Sequence, residues 1–103
     1  MTEVRTVKPG QLVGYNVRKL RQEKGGSQRW LVRRMRELRF SWHQTTVQGV
    51  EHGTRPVSID ELVALAICLD TDVVSLLAPE FIGFIDVGLP RAMSAGIFRA
   101  VVP

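Results

Sequence analysis

The stretch Ser27-Gln28-Arg29-Trp30-Leu31-Val32-Arg33-Arg34-Met35-Arg36-Glu37-Leu38-Arg39, followed by Phe40-Ser41-Trp42-His43-Gln44-Thr45-Thr46-Val47-Gln48-Gly49-Val50-Glu51-His52-Gly53, decides the fold of this chain. In its first half, Leu31, Met35 and Leu38 recur at helical spacing, while Arg29, Arg33 and Arg36 share a different face. Ser27 stands where a side-chain oxygen can cap that helix, and Gly25-Gly26 can end the one before it. In the second half, Ser41 with Gln44 three residues later has the form of a capping box, so a further helix is expected from about Ser41 until Gly53 ends it. The expected product is two short helices meeting at a corner, the first of them cationic on its polar side.

The same reading extends in both directions. Pro9-Gly10 marks the entrance to a first helix of about Gln11 to Lys24, with Val13, Val17 and Leu20 on its apolar side. After the Thr54-Arg55-Pro56 turn, Ser58 and Glu61 form a second capping box, flanked by a hydrophobic staple of Val57 and Leu62. Ile59, Leu62, Leu65, Ala66 and Leu69 follow as the stripe of a fourth helix. Asp70-Thr71-Asp72 caps a short fifth helix, which runs through Leu77 until Pro79 stops it. No strand pattern is seen before residue 80. The expectation is an all-α domain of five helices over residues 11–78, with a flexible arm at 1–10 and a short, irregular apolar tail at 79–103. Phe81, Ile82, Phe84, Ile85, Val87 and Leu89 are too apolar for a free linker, and Gly83, Gly88 and Pro90 forbid a long helix. Either the tail folds back on helices one and five or it pairs two subunits.

Charge narrows the function. Residues 18–39 carry nine Lys or Arg against Glu23 and Glu37, whereas everything from Phe40 onward is net negative. One basic patch on a chain of net charge +4 suits a polyanion. Enzyme chemistry finds no foothold: there is no phosphate-cradling glycine loop with lysine, no HExxH and no CxxC, so neither catalytic residues nor a metal or other cofactor is expected. Cys68 falls on the apolar side of helix four and reads as a small core residue. The apolar run Leu62–Leu69 is far shorter than the roughly 20 residues a membrane span needs. A reducing cytoplasm fits a single cysteine, and no small-molecule ligand is implied.

In this order and spacing, Val17-Arg18-Lys19-Leu20-Arg21, Ser27-Gln28 with Leu31, Thr46 to Gly53, Arg55-Pro56 and Leu62-Val63-Ala64-Leu65-Ala66 resemble the Cro/C1-type helix-turn-helix domain, also called the XRE type. The resemblance covers about Val13 to Leu77. It implies a lambda-repressor-like fold and double-stranded DNA as partner, with helix three in the major groove. It further implies base reading by Gln44 and Thr45, with His43 and Gln48 at the edges and Gly49 permitting close approach. Phosphate contacts would come from Gln28, Arg29, Arg33, Thr46 and Arg55, and an ion pair, Arg21 with Glu51, would tie helix one to the end of helix three. The function it implies is sequence-specific regulation, a repressor of the temperate-phage or mobile-element immunity kind acting on an operator, in some cases as a homodimer. An antitoxin or protein-interaction subunit built on the same fold is the alternative. Two departures stand out: Val32 is larger than the usual alanine, and residues 36–41 lack the usual glycine of the turn. Trp42 stands in that turn, either as a wedge between helices two and three or with its indole N–H on a phosphate, and Trp30 faces partly outward.

Overall fold

The computed structural model describes residues 5–79, 83–85 and 93–94. Five helices form an all-α body: α1 (Pro9–Glu23), α2 (Gln28–Glu37), α3 (Gln44–Glu51), α4 (Ile59–Cys68) and α5 (Val73–Leu77). Each begins where local chemistry satisfies its orphan backbone donors. The Ser27 hydroxyl accepts from Trp30 N–H at 3.0 Å, Ser58 and Glu61 exchange bonds of 3.1 and 2.9 Å, and Asp72 accepts from Ser75 N–H at 2.6 Å. Asp72 ionises below the usual carboxylate range because it bonds the Ser75 backbone. Proline at the first position lets α1 start two residues before the expected Gln11, since its missing N–H costs nothing there.

The third helix also starts elsewhere than expected, and the cause lies in its neighbours. Trp42 is buried in the core, and its carbonyl accepts from Arg36 Nε at 2.8 Å. That keeps Ser41 and Trp42 out of the helix, so His43 becomes the N-cap and its N–H donates to Thr46 Oγ1 at 3.1 Å. The turn from Leu38 to His43 is therefore wide. It opens with Arg39 in the left-handed region, φ +73°, where the Phe40 N–H closes back on the Met35 carbonyl at 3.1 Å. Arginine occupies the backbone position that glycine takes at most such helix ends, at a cost of about 1 kcal/mol.

Val17, Leu31, Met35, Trp42, Val47, Val50, Leu65, Leu69 and Leu76 make one core under all five helices. Cys68 lies inside it, 3.6 Å from the Met35 sulfur, and burial pushes its thiol up. α1 crosses α3 so closely that a Cβ at Gly14 would collide with the Val50 carbonyl. Asn16, buried on the same helix, donates to the carbonyls of Leu76 and Ala78 at 2.9 and 3.0 Å and fastens α5.

Three short strands adjoin this body, a departure from the expected absence of strands before residue 80 and from an irregular tail. β1 (Arg5–Val7) pairs in parallel with β2 (Gly83–Ile85), which pairs antiparallel with β3 (Met93–Ser94), in the order β1-β2-β3. Segments of two or three residues carry no readable alternation, and β1 finds its partner, Gly83–Ile85, only at the other end of the chain. The expectations placed on Phe81, Ile82, Val87 and Leu89 lie outside the described residues.

Candidate nucleic-acid interface

α3 is amphipathic across its short axis. Val47, Val50 and Glu51 face inward, while His43, Gln44, Thr45, Gln48 and His52 are exposed and Thr46 and Gly49 are half-buried. Two flanks border the exposed face. On one of them the N-terminus of α2 meets the N-terminus of α3 through a chain of side chains. Glu51 accepts from Gln28 Nε2 at 3.1 Å, Gln28 Oε1 faces Gln44 Nε2 at 3.5 Å, and Arg29 Nε reaches Gln44 Oε1 at 3.4 Å. Because Glu51 can only accept, it fixes which end of the Gln28 amide points outward, and Gln28 in turn orients Gln44.

The anchor of this chain is the fork between Arg21 and Glu51, with Nε–Oε2 at 2.7 Å and Nη2–Oε1 at 3.0 Å, both side chains nearly excluded from solvent. Arg21 also donates to the Gly26 carbonyl at 2.8 Å, so the turn before α2 is held by the same group. A planar fork of this type fixes orientation as well as distance.

The arginines of α2 divide. Arg29 and Arg36 reach α3, Arg29 Nε 3.4 Å from Gln44 Oε1 and Arg36 Nη2 3.0 Å from His43 Nδ1, and Arg33 is exposed on the same helix. Arg34 instead turns aside, half-buried and 3.8 Å from Glu37, so the patch that faces with α3 is smaller than the charge count of the segment.

The opposite flank holds a cluster that sequence reasoning did not anticipate. Glu61 Oε2 accepts from the Trp42 indole N–H at 2.9 Å, and Oε1 accepts from Arg55 Nη1 at 2.8 Å as well as from Ser58 N–H. The Arg55 guanidinium lies over the Trp42 ring, 5.3 Å from its centroid, a cation–π contact. Arg55 beside it, helped by the Ser58 and Trp42 N–H groups, holds the Glu61 carboxyl down at about 2, and Glu61 raises the Arg55 guanidinium in return. Trp42 is thus the wedge, and its N–H is spent on Glu61. Gly49 has a packing reason too: a Cβ there would sit 2.9 Å from Arg55 Cβ, and its carbonyl accepts from the N–H groups of Thr54 and Arg55. The one sequence signal for this cluster was Glu61 itself, already singled out as a capping residue and six positions from Arg55.

No protein-family model and no curated protein matches the chain. Among solved structures it is similar to the restriction-modification controller protein C.AhdI from Aeromonas hydrophila, at 33% identity and a TM-score of 0.57, over 65% of this chain and 94% of that one. The chain belongs to the Cro/C1-type helix-turn-helix family. Within this family it is a DNA-binding regulator with five helices. Its particular features are the wide turn between α2 and α3, the arginine at the backbone position of the turn glycine, and the Trp42–Glu61–Arg55 cluster that closes the far flank of a Cro/C1-type α3. Among the described residues no group of side chains could hold a metal ion, and no helix is long and apolar enough to cross a membrane.

Proposed function

We propose that the chain is a sequence-specific transcriptional regulator that inserts α3 into the major groove and occupies an operator as a repressor in the bacterial cytoplasm. The observation that carries this reading is the buried Glu51 carboxylate orienting an exposed Gln44 through Gln28. A glutamine amide held in one orientation can bridge adenine N6 and N7, discriminating by about 1 to 3 kcal/mol. Thr45 and Gln48 complete the reading face, with His43 at its edge toward the strand and Gly49 keeping its far edge low. Gln28, through its backbone N–H at the start of α2, together with Arg29, Arg33 and Thr46 grips phosphates on the α2 side. Arg55 touches a phosphate on the other with its unbonded edge, while Glu61 offsets its charge. The likeness to a restriction-modification controller favours control of such a gene system over phage immunity.

A homodimer fits as well, for a reason outside the tail. Ile59, Val63 and Ile67 recur every four residues along α4 and are 81%, 46% and 57% exposed, with Val74 of α5 beside them in sequence order. An apolar stripe of this kind suits a second copy, which would set two α3 helices on half-sites about 34 Å apart. Footprinting on DNA upstream of the chain's own gene tests the reading: a protected, two-fold symmetric site is expected. Stoichiometric co-purification with a second protein and no footprint would instead favour an antitoxin or interaction subunit.

A further inference from the structure

The wide turn between α2 and α3 forms a concavity of about 450 Å³ lined by Arg36, Arg39, Phe40, Ser41 and His43. Each of its polar side chains can donate a hydrogen bond. Arginine can only donate, so the 3.0 Å contact from Arg36 makes His43 Nδ1 the acceptor and leaves the ring proton on Nε2. Ser41 and His43 are both exposed, and no carboxylate lines the cleft. Arg39 is exposed, and among the described residues its guanidinium has no partner. It also holds a left-handed backbone that glycine would take without strain. Local stability alone would favour glycine, so the side chain is what the strain retains.

We propose that this cleft binds a phosphate of the DNA strand that runs past the N-terminus of α3, with Arg39 as its principal cation and His43 Nε2–H and the Ser41 hydroxyl as neutral donors. Arg36, already bonded to the Trp42 carbonyl and His43, shapes the cleft. His43 therefore acts on the strand beside the base pairs that Gln44 reads. The inference rests on the DNA-binding reading above and adds a phosphate site to it.

Arg39→Gly tests it cleanly, because the substitution removes the cation and relieves the backbone together. The unfolding midpoint should hold or rise. Affinity for a duplex selected by the wild-type protein should fall about fivefold at 0.15 M salt, with the salt slope shallower by about 0.9, and Arg39→Lys should restore most of the loss. Unchanged affinity and slope in Arg39→Gly, with the wild type binding normally, would overturn the phosphate site alone. Failure of the wild-type protein to bind any selected duplex would overturn the site together with the DNA reading. If millimolar inorganic phosphate without DNA saturated the His43 imidazole resonances while the slope ignored Arg39→Gly, the strand phosphate would give way to a free anion.

Discussion

The two flanks of α3 use arginine in opposite ways. On the α2 flank, Arg29 bonds a neutral amide and Arg33 is exposed, so their charge stays available to a polyanion. On the far flank, Arg55 is locked to a carboxylate at 2.8 Å and lies over an indole. A tally of basic residues treats both alike. The geometry separates a gripping side from a bracing side, and DNA binding should be far more sensitive to salt through the first than through the second.

The largest effect comes from the anchor common to both ends of α3. Glu51→Ala leaves Arg21 buried without its carboxylate and should cost about 3 to 5 kcal/mol in chemical denaturation. A loss under 1 kcal/mol would mean that Gln28 and Gln44 are oriented by something else.

Next is the centre of the bracing flank. With its carboxyl held at about 2, Glu61 contributes stability that is complete above the ordinary carboxylate range, near 4.5, and is lost as pH falls from about 5 to about 2. Glu61→Gln should lose about 2 kcal/mol at neutral pH and flatten that part of the acid profile. It should also release the Arg55 charge, steepening the salt dependence of DNA binding by up to about 0.9. A slope unchanged in this variant would mean that Arg55 is turned from DNA altogether.

Gly49→Ala sets a methyl against Arg55 Cβ at 2.9 Å and should cost about 1 kcal/mol through a shift of the Thr54–Arg55 turn. Thermal unfolding checks it; an unchanged midpoint would show that the turn yields freely. The smallest effect is on salt dependence in Arg55→Ala, whose slope should change by well under 0.9, against about 0.9 for Arg33→Ala. Equal changes would erase the distinction between the flanks.

Much of the molecule was legible from its sequence because the signals were local. Ser27, Ser58 and Asp72 cap the helices that their spacing announces, and the helical stripes of Leu31, Met35, Leu65 and Leu69 lie in the core. The start of α3 was misplaced because Ser41 with Gln44 has the same three-residue spacing as the true pair, His43 with Thr46. Only the burial of Trp42, a tertiary effect, decides between them. Glu61 was read as a cap and no more, since its second role depends on Trp42, nineteen positions away, reaching it across the core. Gln44 and Thr45 were singled out by the family resemblance, and both are exposed. The relay that orients Gln44 needed Gln28 and Glu51 brought together from two helices.

Gln44 is where these lines converge, and selection of bound duplexes from random DNA, run in parallel with the wild-type protein and Gln44→Ala, tests its role most directly. The wild type should enrich one motif containing an adenine step, and Gln44→Ala should still bind while losing preference at that base pair by about tenfold or more. An identical motif from both proteins, or no motif from either, would contradict base reading by α3.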